Sequence, residues 1–285
     1  MFVTAAIAPA KINLTLDIVG TRADGYHLLE SIFQSVDVCD VVVARKRLGR
    51  RITLDAPGCD CPVEKNTAYK AAVAFFRYTG LKKGVHLTVT KRIPQQAGMG
   101  GGSADAAGVL VALNRLFKTN LTTEQLCEIG LTVGADVPFC VMGGTAYVTG
   151  IGEGLQALPA LPDCTIVVAQ PAEGISTKEA YAAVDNAEIL ARPDNTAAMA
   201  ALEQGDLHGV CAQAINVFES ATHLAGVADI RRRMESFSPL CSQMTGSGSC
   251  VFAIFEDEDA AEACLADLQA DYPTAFICYP CGGIV

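Results

Sequence analysis

The stretch Pro94-Gln95-Gln96-Ala97-Gly98-Met99-Gly100-Gly101-Gly102-Ser103-Ala104 places four glycines just ahead of a segment with helical periodicity. Glycine has no Cβ, so backbone amides can close on an anion, and the positive end of a helix dipole adds to the attraction. The chemistry this suits is phosphate binding. Ser103 can cap the helix or reach a phosphate or a metal ion. A Walker loop is excluded, because four residues after Gly98 come Ser103 and Ala104 and no lysine. A dinucleotide fingerprint begun at Gly98 also fails, with Ser103 at its last glycine position and Lys118 where an acidic residue is needed. A plain hinge is the competing reading, weakened by the backbone entropy that each clustered glycine costs.

Two charges interrupt apolar runs. Asp136 lies within Val133 to Met142, and Lys11 within Phe2 to Val19. Burying either is costly unless it is paired. From the residues alone, Asp136 is equally a functional carboxylate or a helix cap beside Gly134, and Lys11 is a functional ammonium or a strand-edge charge. Tyr26 and His27 follow the turn residues Asp24-Gly25 and, taken singly, read as ordinary surface residues. The pairs Cys59-x-Cys61 and Cys278-x-x-Cys281 have metal-like spacing, but each has proline beside or inside it and no histidine nearby, so no metal site is expected. Most of the 12 cysteines stand singly in apolar runs, where a reduced thiol packs as a small hydrophobe.

The elements that must carry these residues follow from periodicity. The start, Met1 to Pro9, reads as a strand. Val85 to Thr90 alternates apolar and polar residues, the pattern of a strand in an antiparallel sheet with one face buried. After Ser103, the positions Ala106, Leu110, Leu113 and Phe117 form one helical stripe. Thr122-x-x-Gln125 is a capping box that opens a second helix ending near Gly130. Ala135 to Met142 and Thr145 to Val148, with Gly143-Gly144 between them, read as a hairpin. The flexible run from Gly150 to Gly154 sets a boundary, giving lobes 1–154 and 155–285. In the second lobe, strands are expected at Thr165 to Ala169, Cys250 to Phe255 and Ala275 to Tyr279. Helices are expected at Lys178 to Val184, Ala197 to Glu203 and Asp259 to Leu268. The fold class is α+β.

Composition narrows the partners. In 285 residues, 51% hydrophobic and 18% charged, there is material for a large core and little sign of disorder. A net charge of -10 opposes a nucleic-acid surface, so a phosphate ligand needs a local site. The basic cluster Arg45 to Arg51 reads as a solvated turn. No apolar run reaches the length of a membrane span, and the apolar start lacks a basic leader, so the expected location is the cytosol. No obligate protein partner is evident.

The glycine loop resembles the phosphate loop of the GHMP kinase superfamily, Pro-x-x-x-Gly-Leu-Gly-Gly/Ser-Ser-Ser/Ala, with Met99 in place of leucine. Further blocks are similar to the branch that phosphorylates the 2-hydroxyl of a cytidine-linked sugar alcohol in non-mevalonate isoprenoid synthesis. They are Ala8 to Leu14 followed by Arg22-Ala23-Asp24-Gly25-Tyr26-His27, and Gly134 to Phe139, together with the glycine loop itself, while Thr245 to Cys250 resembles the C-terminal glycine motif of the superfamily as a whole. The resemblance implies a two-lobed α+β kinase with ATP and substrate between the lobes. It implies that Asp136 orients the attacking hydroxyl and accepts its proton, beside Lys11, whose ammonium favours the ionised carboxylate. It implies ATP contacts from Pro94 through Ala104, with Asn66 and Lys91 on the adenosine side. It also implies substrate contacts from Asn13, from His27 on the cytosine edge, and from Tyr26 and Tyr181 on the two faces of the base. Gln95 and Ala104 depart from the usual small apolar residue and serine, so no phosphate contact is assigned to the Ala104 side chain. Mg²⁺ is implied by ATP chemistry rather than by any ligand spacing. Other GHMP kinases, acting on mevalonate, homoserine or a sugar, would not need the Gly-Tyr-His element. A silent nucleotide-binding regulator would have no use for Lys11 and Asp136.

Overall fold

The computed structural model describes residues 2–59 and 61–284; Met1, at the head of the expected first strand, lies outside them. Two long strands dominate the first half. β1 (Val3–Thr21) pairs antiparallel with β2 (His27–Arg47) along its whole length. On its other edge, β2 pairs antiparallel with β5 (Thr145–Gly150) through residues 29–34 and with β4 (Gly84–Thr90) through residues 41–47. The short β3 (Ile52–Asp55) joins β4 in parallel, and β6 (Gly154–Ala157) joins β5, completing a six-stranded sheet.

Helices α1 (Thr67–Thr79), α2 (Gly101–Phe117), α3 (Thr123–Leu131) and α4 (Val137–Met142) belong to the same half. α2 is apolar almost all round and is correspondingly buried, from Ala104 to Leu116 on nearly every side. Its small residues bring it close to the sheet: a Cβ at Gly108 would sit 2.8 Å from the Val42 side chain. The capping box at Thr122 forms as expected. The expected hairpin from Ala135 does not. Its first arm is α4, opened by Pro138 near the helix start, where a missing amide costs nothing. A six-residue apolar run cannot be told from a strand by periodicity.

The second sheet has the order β10 (Phe276–Cys278), β7 (Thr165–Ala169), β9 (Val251–Phe255), β8 (Cys241–Met244), all antiparallel. One face, with Ile166, Val168, Phe252 and Ile254, packs into the core of the first half. The other, with Val167, Val251, Ala253 and Phe255, forms a second core with α8 (Ala225–Glu235), α9 (Glu258–Gln269) and α5 (Thr177–Val184). Buried residues of α6 (Asn195–Gln204) and α7 (Leu207–Ala212) join the first core. The arrangement is α+β. The glycine run 150–154 contains the turn of the β5–β6 hairpin, and the change of sheet falls between Ala157 and Thr165.

Candidate active site

The glycine loop closes one wall of a cavity of about 1490 Å³ between the two halves. Gln96, Gly98 and Gly100 take left-handed backbone conformations, with φ of 54°, 73° and 70°. Alternation of this kind turns successive amides toward a common centre, an anion-binding concavity at the start of α2. Two glycines are demanded by contact as well as conformation. A Cβ at Gly98 would lie 2.0 Å from the Thr245 carbonyl oxygen, and one at Gly100 would lie 3.1 Å from the Lys11 side chain. The loop is thereby held between β1, through the Lys11 amide donating to the Met99 carbonyl, and the C-terminal glycine motif, through the Cys250 amide donating to that of Ala97. Gln95, the departure from the family pattern, has a structural use: its side chain donates to the Gly58 carbonyl and its own carbonyl accepts from Gln170.

Lys11 and Asp136 meet in this cavity. Lys11 Nζ is 4.0 Å from Asp136 Oδ2, donates to Asn13 Oδ1 at 2.6 Å and lies over the Phe33 ring. Burial pushes the Lys11 ammonium below its ordinary pKa, and the Asp136 carboxylate opposes that shift. Asp136 stands at the N-cap position of α4, yet its side chain makes no capping bond, so the carboxylate is left facing Lys11 and the cavity. Asn13 is fully enclosed. Its Oδ1 accepts from Lys11 and the Gly246 amide, and its Nδ2 donates to Ser31, so the side chain links the ammonium to the second half of the molecule.

On the far side, Tyr26 is exposed at the rim, and His27 stacks on Tyr181 with ring centroids 4.6 Å apart. Tyr181 packs edge-on against Phe218, and burial, assisted by Asp136, raises its hydroxyl to about 12. Asn66 caps α1 by accepting from the Ala68 amide. Lys91 is committed to the Asp40 and Asp105 carboxylates. Burial lowers its pKa, but the two acids outweigh that and raise it. Asp105 is itself raised to about 7, by burial first and by Asp40, against the pull of Lys91. Residues 94–103 border the cavity together with all the other residues expected there; Ala104 alone turns wholly into the core.

Asp40, Asp105 and Asp185 were not anticipated. Asp40 carried the same signal as Lys11, a charge among Val36 to Val43. Asp105, in the first turn of an alanine-rich helix, offered a weaker one, and Asp185 none. Cys59 and Cys61 border the cavity, whereas Cys278 is in β10. Among the described residues no helix is long and apolar enough to cross a membrane.

The family described as GHMP kinases N terminal domain matches residues 66–144, and GHMP kinases C terminal matches residues 198–274. The chain is 40% identical over 273 residues to the 4-diphosphocytidyl-2-C-methyl-D-erythritol kinase of Clostridium tetani, covering 95% of this chain and 97% of that one. It is 44% identical over 259 residues to the enzyme of the same name from Exiguobacterium sibiricum, covering 90% of each. A crystal structure of 4-(cytidine 5'-diphospho)-2C-methyl-D-erythritol kinase superposes with a TM-score of 0.82 at 32% identity, covering 98% of this chain and 100% of the other.

Proposed function

The chain belongs to the GHMP kinase family, and from that membership we propose that it transfers the γ-phosphoryl group of ATP to the 2-hydroxyl of 4-diphosphocytidyl-2-C-methyl-D-erythritol. The observation that carries the reading is the Lys11–Asp136 pair, 4.0 Å apart, in the same cavity as the amide-lined glycine loop. Asp136 takes the proton of the attacking hydroxyl while the new oxygen–phosphorus bond forms. The bond from the γ-phosphorus to the bridging oxygen breaks, and ADP leaves with that bond's electron pair. Lys11 offsets the charge that grows on the attacking oxygen, and Asn13 holds Lys11 in place. Phosphoryl transfer has a loose transition state in which positioning and charge neutralisation do most, so a sparse pair of this kind is enough. The loop from Pro94 to Ser103 holds the phosphates, with Asn66 and Lys91 toward the adenosine, and His27, Tyr26 and Tyr181 form the cytosine end.

Mg²⁺ would accompany the phosphates, neutralising charge on the transferred group. The residues present fit an ion brought in by the phosphates, since Ser103 borders the cavity at the start of α2; among the described residues no three acidic, histidine or cysteine groups converge on a metal site of their own. Action in the cytosol, on a small molecule and without a membrane, nucleic-acid or obligate protein partner, is part of the same proposal.

ADP release with Mg-ATP tests it, using 4-diphosphocytidyl-2-C-methyl-D-erythritol beside mevalonate, homoserine and galactose. Turnover is expected with the cytidine-linked substrate alone. Turnover only with another alcohol would keep the kinase and discard the cytosine pocket.

A further inference from the structure

The second lobe grips His27 at two points. His27 is the first residue of β2, in the first half of the molecule, whereas Tyr181 and Asp185 belong to α5 and the residue that ends it. The Tyr181 ring covers the imidazole, and Asp185 Oδ1 lies 2.7 Å from Nε2. Asp185 follows Tyr181 by four positions, which puts both on the same face of that helical turn. All three border the cavity. The Asp185 side chain is 52% exposed, and an ion pair so open to water contributes little to folding. Its geometry is better explained by what it does to the ring.

A carboxylate can only accept, so a hydrogen bond at this distance requires the proton to be on Nε2. In the neutral imidazole, Nδ1 is then an acceptor, since the partner of one ring nitrogen fixes the role of the other. Nδ1 has no hydrogen-bond partner among the described residues. The first lobe supplies no competing charge in the adjoining turn, because Arg22 and Asp24 are paired with each other.

We propose that Asp185 is a positioning residue that sets base selectivity: it holds the proton on His27 Nε2 and so presents Nδ1 as an acceptor to an exocyclic amine. Cytosine carries such an amine at position 4, where uracil carries a carbonyl oxygen. An acceptor facing an acceptor leaves both groups unpaired, and that loss is how a polar pocket rejects a near-isostere. This inference rests on the reading of the cavity as a cytidine-linked substrate site and adds the residue that makes the histidine selective.

The test compares the unaltered chain with Asp185→Ala and Asp185→Asn. Each is assayed with the cytidine-linked substrate, its uridine-linked analogue and ATP. In Asp185→Ala the KM for the cytidine-linked substrate rises roughly tenfold, about the worth of one hydrogen bond. The preference for cytidine over uridine falls by a similar factor, while the KM for ATP stays within twofold and kcat changes much less than KM. Asp185→Asn keeps more of the preference than Asp185→Ala, because an amide oxygen can still accept from Nε2. Unchanged selectivity in Asp185→Ala overturns the proposal, as does an equal loss toward both bases and ATP, which would mark a merely structural role. If the unaltered chain fails to turn over the cytidine-linked substrate while using another alcohol, the functional reading falls and this proposal with it. Turnover with selectivity unmoved by either variant removes the proposal alone.

Discussion

In the proposed mechanism the chemistry turns on Lys11 and Asp136, and both were visible as charges stranded in apolar runs. Asp136→Ala is expected to lower kcat by roughly 10² to 10⁴ while ATP affinity, measured by calorimetry, changes little. Normal turnover in that variant would remove the carboxylate from the mechanism. Asn13 was legible only as part of a motif, and its role as the tether of Lys11 to the Gly246 amide needed the fold, because Gly246 is 233 residues away. The Lys91 cluster yields a pH effect. Burial first, and Asp40 second, raise Asp105 to about 7 from an ordinary 3.8, so between those values the folded chain keeps a proton that the unfolded chain releases. Stability from this group is therefore fully present below about pH 4 and is lost as pH rises through 7. Thermal melts from pH 5 to 8 should show the unaltered chain losing more stability than Asp105→Asn, which cannot ionise. Parallel curves would locate the pH dependence elsewhere.

At the scale of elements, long periodic segments were readable and short or two-sided ones were not. α2 and α3 announced themselves by an apolar stripe and a capping box. α4 did not, since six apolar residues fit either period, and β1 showed its length only through its burial. It is buried on one face near its start, where Val3, Ala5 and Ile7 are exposed, and on both faces from Ala8 to Asp17. The glycine loop was recognisable from its composition. Its locking against the Thr245 turn was not, because backbone contact between distant segments leaves no periodic trace. Gly98→Ala should destabilise the fold by about 3 kcal/mol or more, the range for strain at a left-handed position combined with a direct clash. Denaturant melts would show it. A loss below about 1 kcal/mol would mean that the loop can move away from Thr245 without cost.

For the molecule as a whole, the two-sheet α+β arrangement could be expected from the alternation of elements, but the degree to which the halves share a core could not. Ile166, Val168, Phe252 and Ile254 of the second sheet are packed into the same cluster as α2 and β1. Urea unfolding followed by far-UV circular dichroism and by tyrosine fluorescence should therefore give one coincident transition. Two separated transitions would show the halves to be independent folding units. The polar residues of β1 make the point in another way. Lys11 faces Asp136, Thr15 Oγ1 donates to Asn195, Asp17 is paired with Arg192, and the Asn13 amide donates to Thr245. β1 is synthesised before all four of these partners, and the last of them follows it by more than two hundred residues. Lys11 is thus wired in only when Thr245 and Gly246 have been synthesised, and a chain that stops short of them carries its glycine loop without the turn that closes it. Synthesis of the Thr245 turn is itself the checkpoint for assembling this centre.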